Sequence, residues 1–258
     1  VTLKKLYKNE LTQIVEKYFS REENKVNFFG NGEEVQEVMR FFSGFVQYDH
    51  PDAYSIIGNE ALLLEHFEFD SSNRTKAKGS QQRRSEAEDI RVFSQELPTE
   101  TGTVHHSLID ADYTIQNYKN NLSDVFGEHY YRISDYKRAL AAEGILQSNI
   151  SVRTLFFIED TTLLGNVFET DSWEKPVLPV ILPMCDFFLD LFEKSPDLDY
   201  ALCGSWVPND YQLWFIGRSM IEDYRKNQII TSEIHICNFS PHSVGMKMVI
   251  PDIPEPGK

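Results

Sequence analysis

The stretch PDAYSIIGNEALLLEHFEFDSSNRTKAKGSQQRR, residues 51–84, decides the fold. Residues 53–57 and 61–69 have the apolar character of strands, and Gly58-Asn59 between them predicts a tight hairpin. The second strand is chemically odd, because its apolar run carries Glu65, His66 and Glu68 and ends on Asp70. Side chains alternate along a strand, so Leu64, His66, Glu68 and Asp70 share one side, and Leu63, Glu65, Phe67 and Phe69 the other. The second set is apolar after Glu65 and is expected to face the core. The first turns polar, as at a sheet edge or at a strand end emerging into solvent. Carboxylates in a covered sheet cost free energy unless they are paired or bind a metal.

Working outward, residues 71–85 hold Arg74, Lys76, Lys78, Arg83 and Arg84 with no acid, in a chain of net charge −15. That much negative charge repels a polyanion at long range, which excludes wrapping nucleic acid with the whole surface. It leaves room for one local basic loop, with Gly79 and Ser80 at a helix start adding free N–H groups. The alternative is a solvated surface loop.

Upstream, Leu3, Leu6, Leu11, Ile14, Val15 and Tyr18 recur at helical spacing to about residue 20. Asn31 with Glu34 looks like a capping box for a helix whose packing face is Val35, Val38, Met39 and Phe42. Downstream, a helix runs from Ser80 toward Pro98. Two more are expected at about 110–126 and 128–143, parted by Gly127. SVRTLFFIED, residues 151–160, reads as a central strand buried on both faces. A short helix near 184–193 and strands at 199–203, 211–216, 229–237 and 246–250 complete the pattern. The chain is therefore expected to be α/β (α+β): one domain of 258 residues with a mixed central sheet flanked by helices. Its core is placed at 2–97 and 151–160, with a helical insertion at 98–150 and a C-terminal strand extension at 171–258. A split near residue 170 is the alternative. At this length no metal or disulfide is needed to hold a core. Cys185, Cys203 and Cys237 lack framework spacing and read as reduced core thiols, which favours a cytoplasmic location. The N-terminal stretch is amphipathic rather than a signal sequence, and no apolar run reaches membrane-spanning length.

If the hairpin closes, Asp52 returns to the far end of the second strand, near Glu65 to Glu68. Two or three carboxylates with His66 would suit Mg²⁺ or Mn²⁺. With Pro51-Asp52 followed by Glu65 on the next strand, the chain resembles the PD-(D/E)xK (restriction-endonuclease-like) nuclease superfamily, whose core runs helix, three strands, helix, strand. The resemblance implies divalent-metal-dependent phosphodiester hydrolysis. Asp52, Glu65, Glu68 and His66 would hold the ion, and Arg74, Arg83 and Arg84 would hold nucleic-acid phosphates. Phe67 and Asp70 stand where the motif's lysine belongs, so Lys76 or Lys78 would reach back from the loop in its place. The helix-borne acid would be Glu10 or Glu16. The competing expectation is a non-catalytic module with an inherited nuclease-like fold, binding a protein partner or pairing as a homodimer.

Other groupings carry less. His105 and His106 are adjacent and so diverge, and Ser107 with His106 and Asp110 lacks a nucleophile elbow. Glu159 and Asp160, at the end of the strongest strand, are expected to cap or turn the chain. Trp206, Tyr211 and Trp214 are expected to pack rather than stack on bases.

Overall fold

Gly58, at φ +63°, turns the chain between two strands whose last pair is Ile57 with Glu60. A two-residue turn of this kind needs a left-handed conformation, which a glycine adopts without strain. The computed structural model describes residues 26–75, 79–95, 104–109, 113–162, 167–169, 178–207, 210–230, 235–236 and 244–249. The central elements are β1 (Val26–Asn27), α1 (Glu33–Phe42), β2 (Val46–Gln47), β3 (Ala53–Ile57), β4 (Glu60–Phe69), α2 (Gln81–Gln95), α3 (Ile115–Tyr130), α4 (Ile133–Ala142), β5 (Ser151–Asp160), α5 (Asp186–Glu193), β6 (Tyr200–Val207), β7 (Asp210–Gly217) and α6 (Ile221–Lys226).

The seven strands form one mixed sheet in the order β1-β7-β6-β5-β4-β3-β2. β2, β3 and β4 are a meander, whereas β4, β5 and β6 run parallel. The α/β expectation holds. β6 and β7 extend the sheet beyond β5 as an antiparallel hairpin, and β1 closes that edge in parallel with β7. Shorter strands pair apart from this sheet: Arg74–Thr75 with Gly79–Ser80, Val104–Ile109 with Val244–Val249, and Val167–Glu169 with both Leu178–Pro179 and His235–Ile236.

β4 is a central strand, which corrects the edge reading. Leu62, Leu63 and Leu64 are all fully buried, so both faces are covered over the first half. One face carries α3 and α4: Phe67 packs edge-on against Phe126, Phe69 against Tyr118, and Ala61 and Leu63 lie with Tyr136 and Leu140. On the opposite face α1 is tied near the strand start. Arg153 of β5 bonds Glu37 at 2.7 Å and its guanidinium sits over the Phe41 ring.

Three local expectations differ. α3 runs through Gly127 to Tyr130, because Phe126 on Phe156 and Phe67 secures the turn against the roughly 1 kcal/mol cost of a helical glycine. The Asn31 cap is shifted: its Oδ1 accepts from the Glu33 N–H at 3.2 Å, and Gly32 is the N-cap. Of the strand expected at 229–237, the described residues show an isolated parallel bridge of Ile229 to Cys185 and the short strand His235–Ile236. The first helix with Glu10 and Glu16, Lys76, Lys78, Asp110 and Cys237 lie outside the described residues. Cys185 and Cys203 are free and buried, as expected. Among the described residues no helix is long and apolar enough to cross a membrane.

Candidate metal and phosphate site

β3 begins at Ala53, opposite Leu64, while β5 follows β4 to Phe69. Beyond Leu64, β4 therefore keeps a strand neighbour on one side only. Asp52 takes up the gap: its Oδ2 accepts the His66 backbone N–H at 2.7 Å, in the place of the next ladder bond. The hairpin does bring Asp52 back to the end of the second strand. Burial, and then the charge of Glu65, push the Asp52 carboxyl up to about 6, against the pull of the His66 N–H and of the His66 and His129 imidazoles.

Strand alternation then divides the expected cluster. His66 and Glu68 project to one face. Because β4 and β5 are parallel and in register, Glu159 lies beside Glu68 on that same face. His66 Nε2 is 2.7 Å from Glu159 Oε2, and one ligating atom from each of His66, Glu68 and Glu159 lies within 4.8 Å of the others. Burial works against the His66 imidazolium, but the Glu159 hydrogen bond and the charges of Glu159, Glu68 and Asp52 outweigh it and raise the imidazole. Burial likewise works against the Glu159 carboxylate, and the bonds from His66 and Tyr211 outweigh it, so its carboxyl is lowered. Both shifts favour the charged forms across this bond.

Tyr211 of β7 donates to Glu159 Oε1 across the intervening β6. Its route is open because residue 204 is glycine: a Cβ there would collide with the phenol oxygen. Glu159, expected only as a cap or turn, is thus the carboxylate that meets His66.

Glu65 points the other way. Its Oε1 receives both His129 Nδ1 at 2.6 Å and the Tyr136 hydroxyl at 2.7 Å, while Oε2 is buried without a partner. The His129 ring stacks flat on Phe67, with centroids 4.7 Å apart. Asp70 does structural work. It accepts from the Ser72 N–H at 2.9 Å and the Ser80 hydroxyl at 2.5 Å, and Asn121 Nδ2 reaches its carbonyl at 2.8 Å. These bonds fasten the start of α2 to the end of β4.

The arginines converge on the same place. Arg83 Nη2 is 3.2 Å from Glu68 Oε2, Arg84 Nε donates to the Ser80 carbonyl at 3.3 Å, and Arg74 lies 4.0 Å from Glu128. All three border a cavity of about 490 Å³ that also exposes His66, Glu68 and His129. Its walls are the end of β4, the first turn of α2 and the last turns of α3.

No family model, curated protein or solved structure matches the chain.

The expected residues thus fall into three groups. Glu68 and His66 converge with Glu159; Asp52 and Glu65 lie together behind them; Arg74, Arg83 and Arg84 border the cavity in front. Glu159 was visible in the sequence only as an acid at the end of a continuously apolar strand, and was assigned there to a cap or turn. His129 and Tyr136 carry no local signal, because their role comes from helices packed across β4. Trp214 packs against Phe29, with centroids 5.6 Å apart, as a core residue should.

Proposed function

We propose that this chain catalyses divalent-metal-dependent hydrolysis of a phosphodiester in the cavity at the end of β4. The observation that carries the reading is the convergence of His66, Glu68 and Glu159 within 4.8 Å, beside a cavity bordered by three arginines. The order α1, β2-β3-β4, α2, β5, with the strand Val104–Ile109 and helices α3 and α4 inserted between α2 and β5, also supports it, since the nuclease-like resemblance implies helix, three strands, helix and strand.

The donor set fits a cation. One imidazole and two carboxylates suit Mn²⁺ or Mg²⁺, and a proton on His66 is the charge such an ion would displace. Bound there, the ion supplies Lewis acidity toward a phosphoryl oxygen. Asp52 fixes the His66 backbone, Tyr211 fixes Glu159, and Gly204 gives Tyr211 its path. Arg83 exchanges Glu68 for a phosphate oxygen when substrate enters, and Arg74 and Arg84 hold neighbouring phosphates, with geometry that positions a nucleic acid without reading its sequence. Lys76 or Lys78, between Arg74–Thr75 and Gly79–Ser80, would stabilise the attacking hydroxide.

Calorimetric titration with Mn²⁺, followed by incubation with plasmid DNA and with single-stranded RNA, tests this. The parent protein is expected to bind Mn²⁺ and to cleave at least one substrate in an EDTA-sensitive way, and Glu159→Gln to lose both. A parent that takes up no Mn²⁺ at millimolar concentration overturns the proposal.

A second reading draws on Phe67 in the lysine's position and on Val46, Ile56 and Ile57, which are exposed on β2 and β3. In it the fold serves a protein partner or a homodimer at that sheet edge. A native mass of twice the chain by light scattering, abolished by Ile56→Lys, would favour it.

A further inference from the structure

Arg74 and Glu128 border a second cavity as well as the first, of about 910 Å³, between the last turns of α3 and the end of α5. Its lining includes Tyr130 and Tyr131 at the end of α3 and Lys194 just after α5. We infer that this cavity receives an unpaired base, so that the substrate of the neighbouring site is a single strand of nucleic acid lying across Arg74. This rests on the hydrolytic reading above and adds the substrate class to it.

Tyr131 supplies the platform. It is the most exposed large hydrophobic side chain among the described residues, at 81%. One exposed aromatic is ordinary on a protein surface. This one ends a row of rings fastened to the core. Buried Phe126 stacks on Tyr130 with centroids 6.3 Å apart and planes 20° apart, and Tyr130 meets Tyr131 edge-on at 6.0 Å. The Tyr130 hydroxyl donates to Asp197 Oδ2 at 3.4 Å, and the Tyr131 backbone N–H donates to the Gly127 carbonyl at 3.1 Å. The backbone and the inner rings are thus held before any ligand arrives, while most of the Tyr131 ring stays open to solvent. Every base has a π-face, so stacking on such a ring binds a strand without reading its sequence.

Charge favours one strand over two. Arg74 and Lys194 line the cavity together with Asp124 and Glu128. A duplex, with its bases turned inward, presents mainly phosphates to this mixed wall, and the two carboxylates repel them. A single strand can give its phosphates to Arg74 and Lys194 and turn base edges, which carry N–H donors, toward Asp124 and Glu128. Arg74 has a donor to give. Its Nη1 is buried without a hydrogen-bond partner, and its ion pair with Glu128 spans 4.0 Å. An unmet buried donor costs free energy, which a phosphate oxygen recovers.

Fluorescence anisotropy of the full chain tests this, in EDTA at low salt, with a labelled oligonucleotide of about 15 nucleotides as single-stranded DNA, as single-stranded RNA and as a DNA duplex. The parent is expected to hold at least one single strand about 10-fold more tightly than the duplex, and the tighter of the two tells DNA from RNA. Tyr131→Ala is expected to weaken single-strand binding about 5- to 100-fold, the worth of one stacked base, and Tyr131→Phe to leave it nearly unchanged. Duplex binding and the urea midpoint of Tyr131→Ala are expected to match the parent's, since the side chain is mostly exposed. Neither strand held more tightly than the duplex, or a strand held equally by Tyr131→Ala, overturns the inference and leaves the hydrolytic reading standing. A parent that holds the strand through Tyr131 yet takes up no Mn²⁺ loses the hydrolytic reading and keeps this cavity as a single-strand site.

Discussion

Replacing Asp52 with asparagine should make the metal-free protein more stable at neutral pH, an unusual result for a residue at a candidate active site. Asp52 sits against Glu65 in a largely buried position, and its carboxyl is pushed from the ordinary 3.8 to about 6. At about 1.4 kcal/mol per unit, the folded protein gives up about 3 kcal/mol by keeping Asp52 ionised. The sign follows from linkage. The folded state holds the proton more tightly than the unfolded state, so stability falls as pH rises from about 4 to about 6, and the full penalty is in place above that. Asparagine keeps an oxygen for the His66 N–H and removes the charge. In urea titrations with EDTA, Asp52→Asn should exceed the parent by about 1–3 kcal/mol at pH 7 and lose the advantage near pH 4. A variant less stable than the parent at pH 7, or a difference independent of pH, would refute the account of this carboxylate pair.

Other outcomes follow from the same geometry. Gly204→Ala should drive the Tyr211 phenol off Glu159, lower stability by about 1–3 kcal/mol in urea, and weaken Mn²⁺ binding about 10-fold by calorimetry. Tyr211→Phe should reproduce the weaker binding with a smaller loss of stability. The His66–Glu159 pair contributes stability that appears above the ordinary carboxyl value of 4.5 and fades as pH rises past the raised imidazole, so His66→Gln should cost most at intermediate pH by thermal melting. Mn²⁺ entering that pair should release a proton, seen as a binding heat that changes with the buffer's ionisation enthalpy. Ser80→Ala removes a donor to buried Asp70 and should cost about 1–3 kcal/mol in urea. Arg83→Ala with Arg84→Ala should lower nucleic-acid retention and its salt dependence by about one phosphate contact per arginine.

The fold was legible where one physical rule acted alone. The Gly58-Asn59 turn, the two strands of the hairpin and the buried strand at 151–160 follow from conformational preference and apolar continuity, and each lies within a residue of its expected place. α3 did not obey its glycine, because packing at Phe126 outweighs a local propensity of about 1 kcal/mol. In the site, the polar end of β4 was visible as a conflict between burial and charge, and so was the acid-free run of arginines. The resolution of the conflict was not. Glu65 and His66 are neighbours in sequence, yet alternation sends them to opposite faces, where their partners Glu159, His129 and Tyr136 come from elements 64 to 93 residues away. Those partners depend on the parallel register of β4 with β5 and on helix packing, neither of which is written in a short motif. Asp52 was placed correctly, but its closest bond is to a backbone N–H.

The most direct test is an anomalous difference map from crystals soaked in Mn²⁺. A single strong peak within about 2.5 Å of His66 Nε2 and of oxygens from Glu68 and Glu159, with the His66–Glu159 hydrogen bond opened, is the predicted result. A map without a peak there at millimolar Mn²⁺, with His66 and Glu159 still paired, would contradict the account.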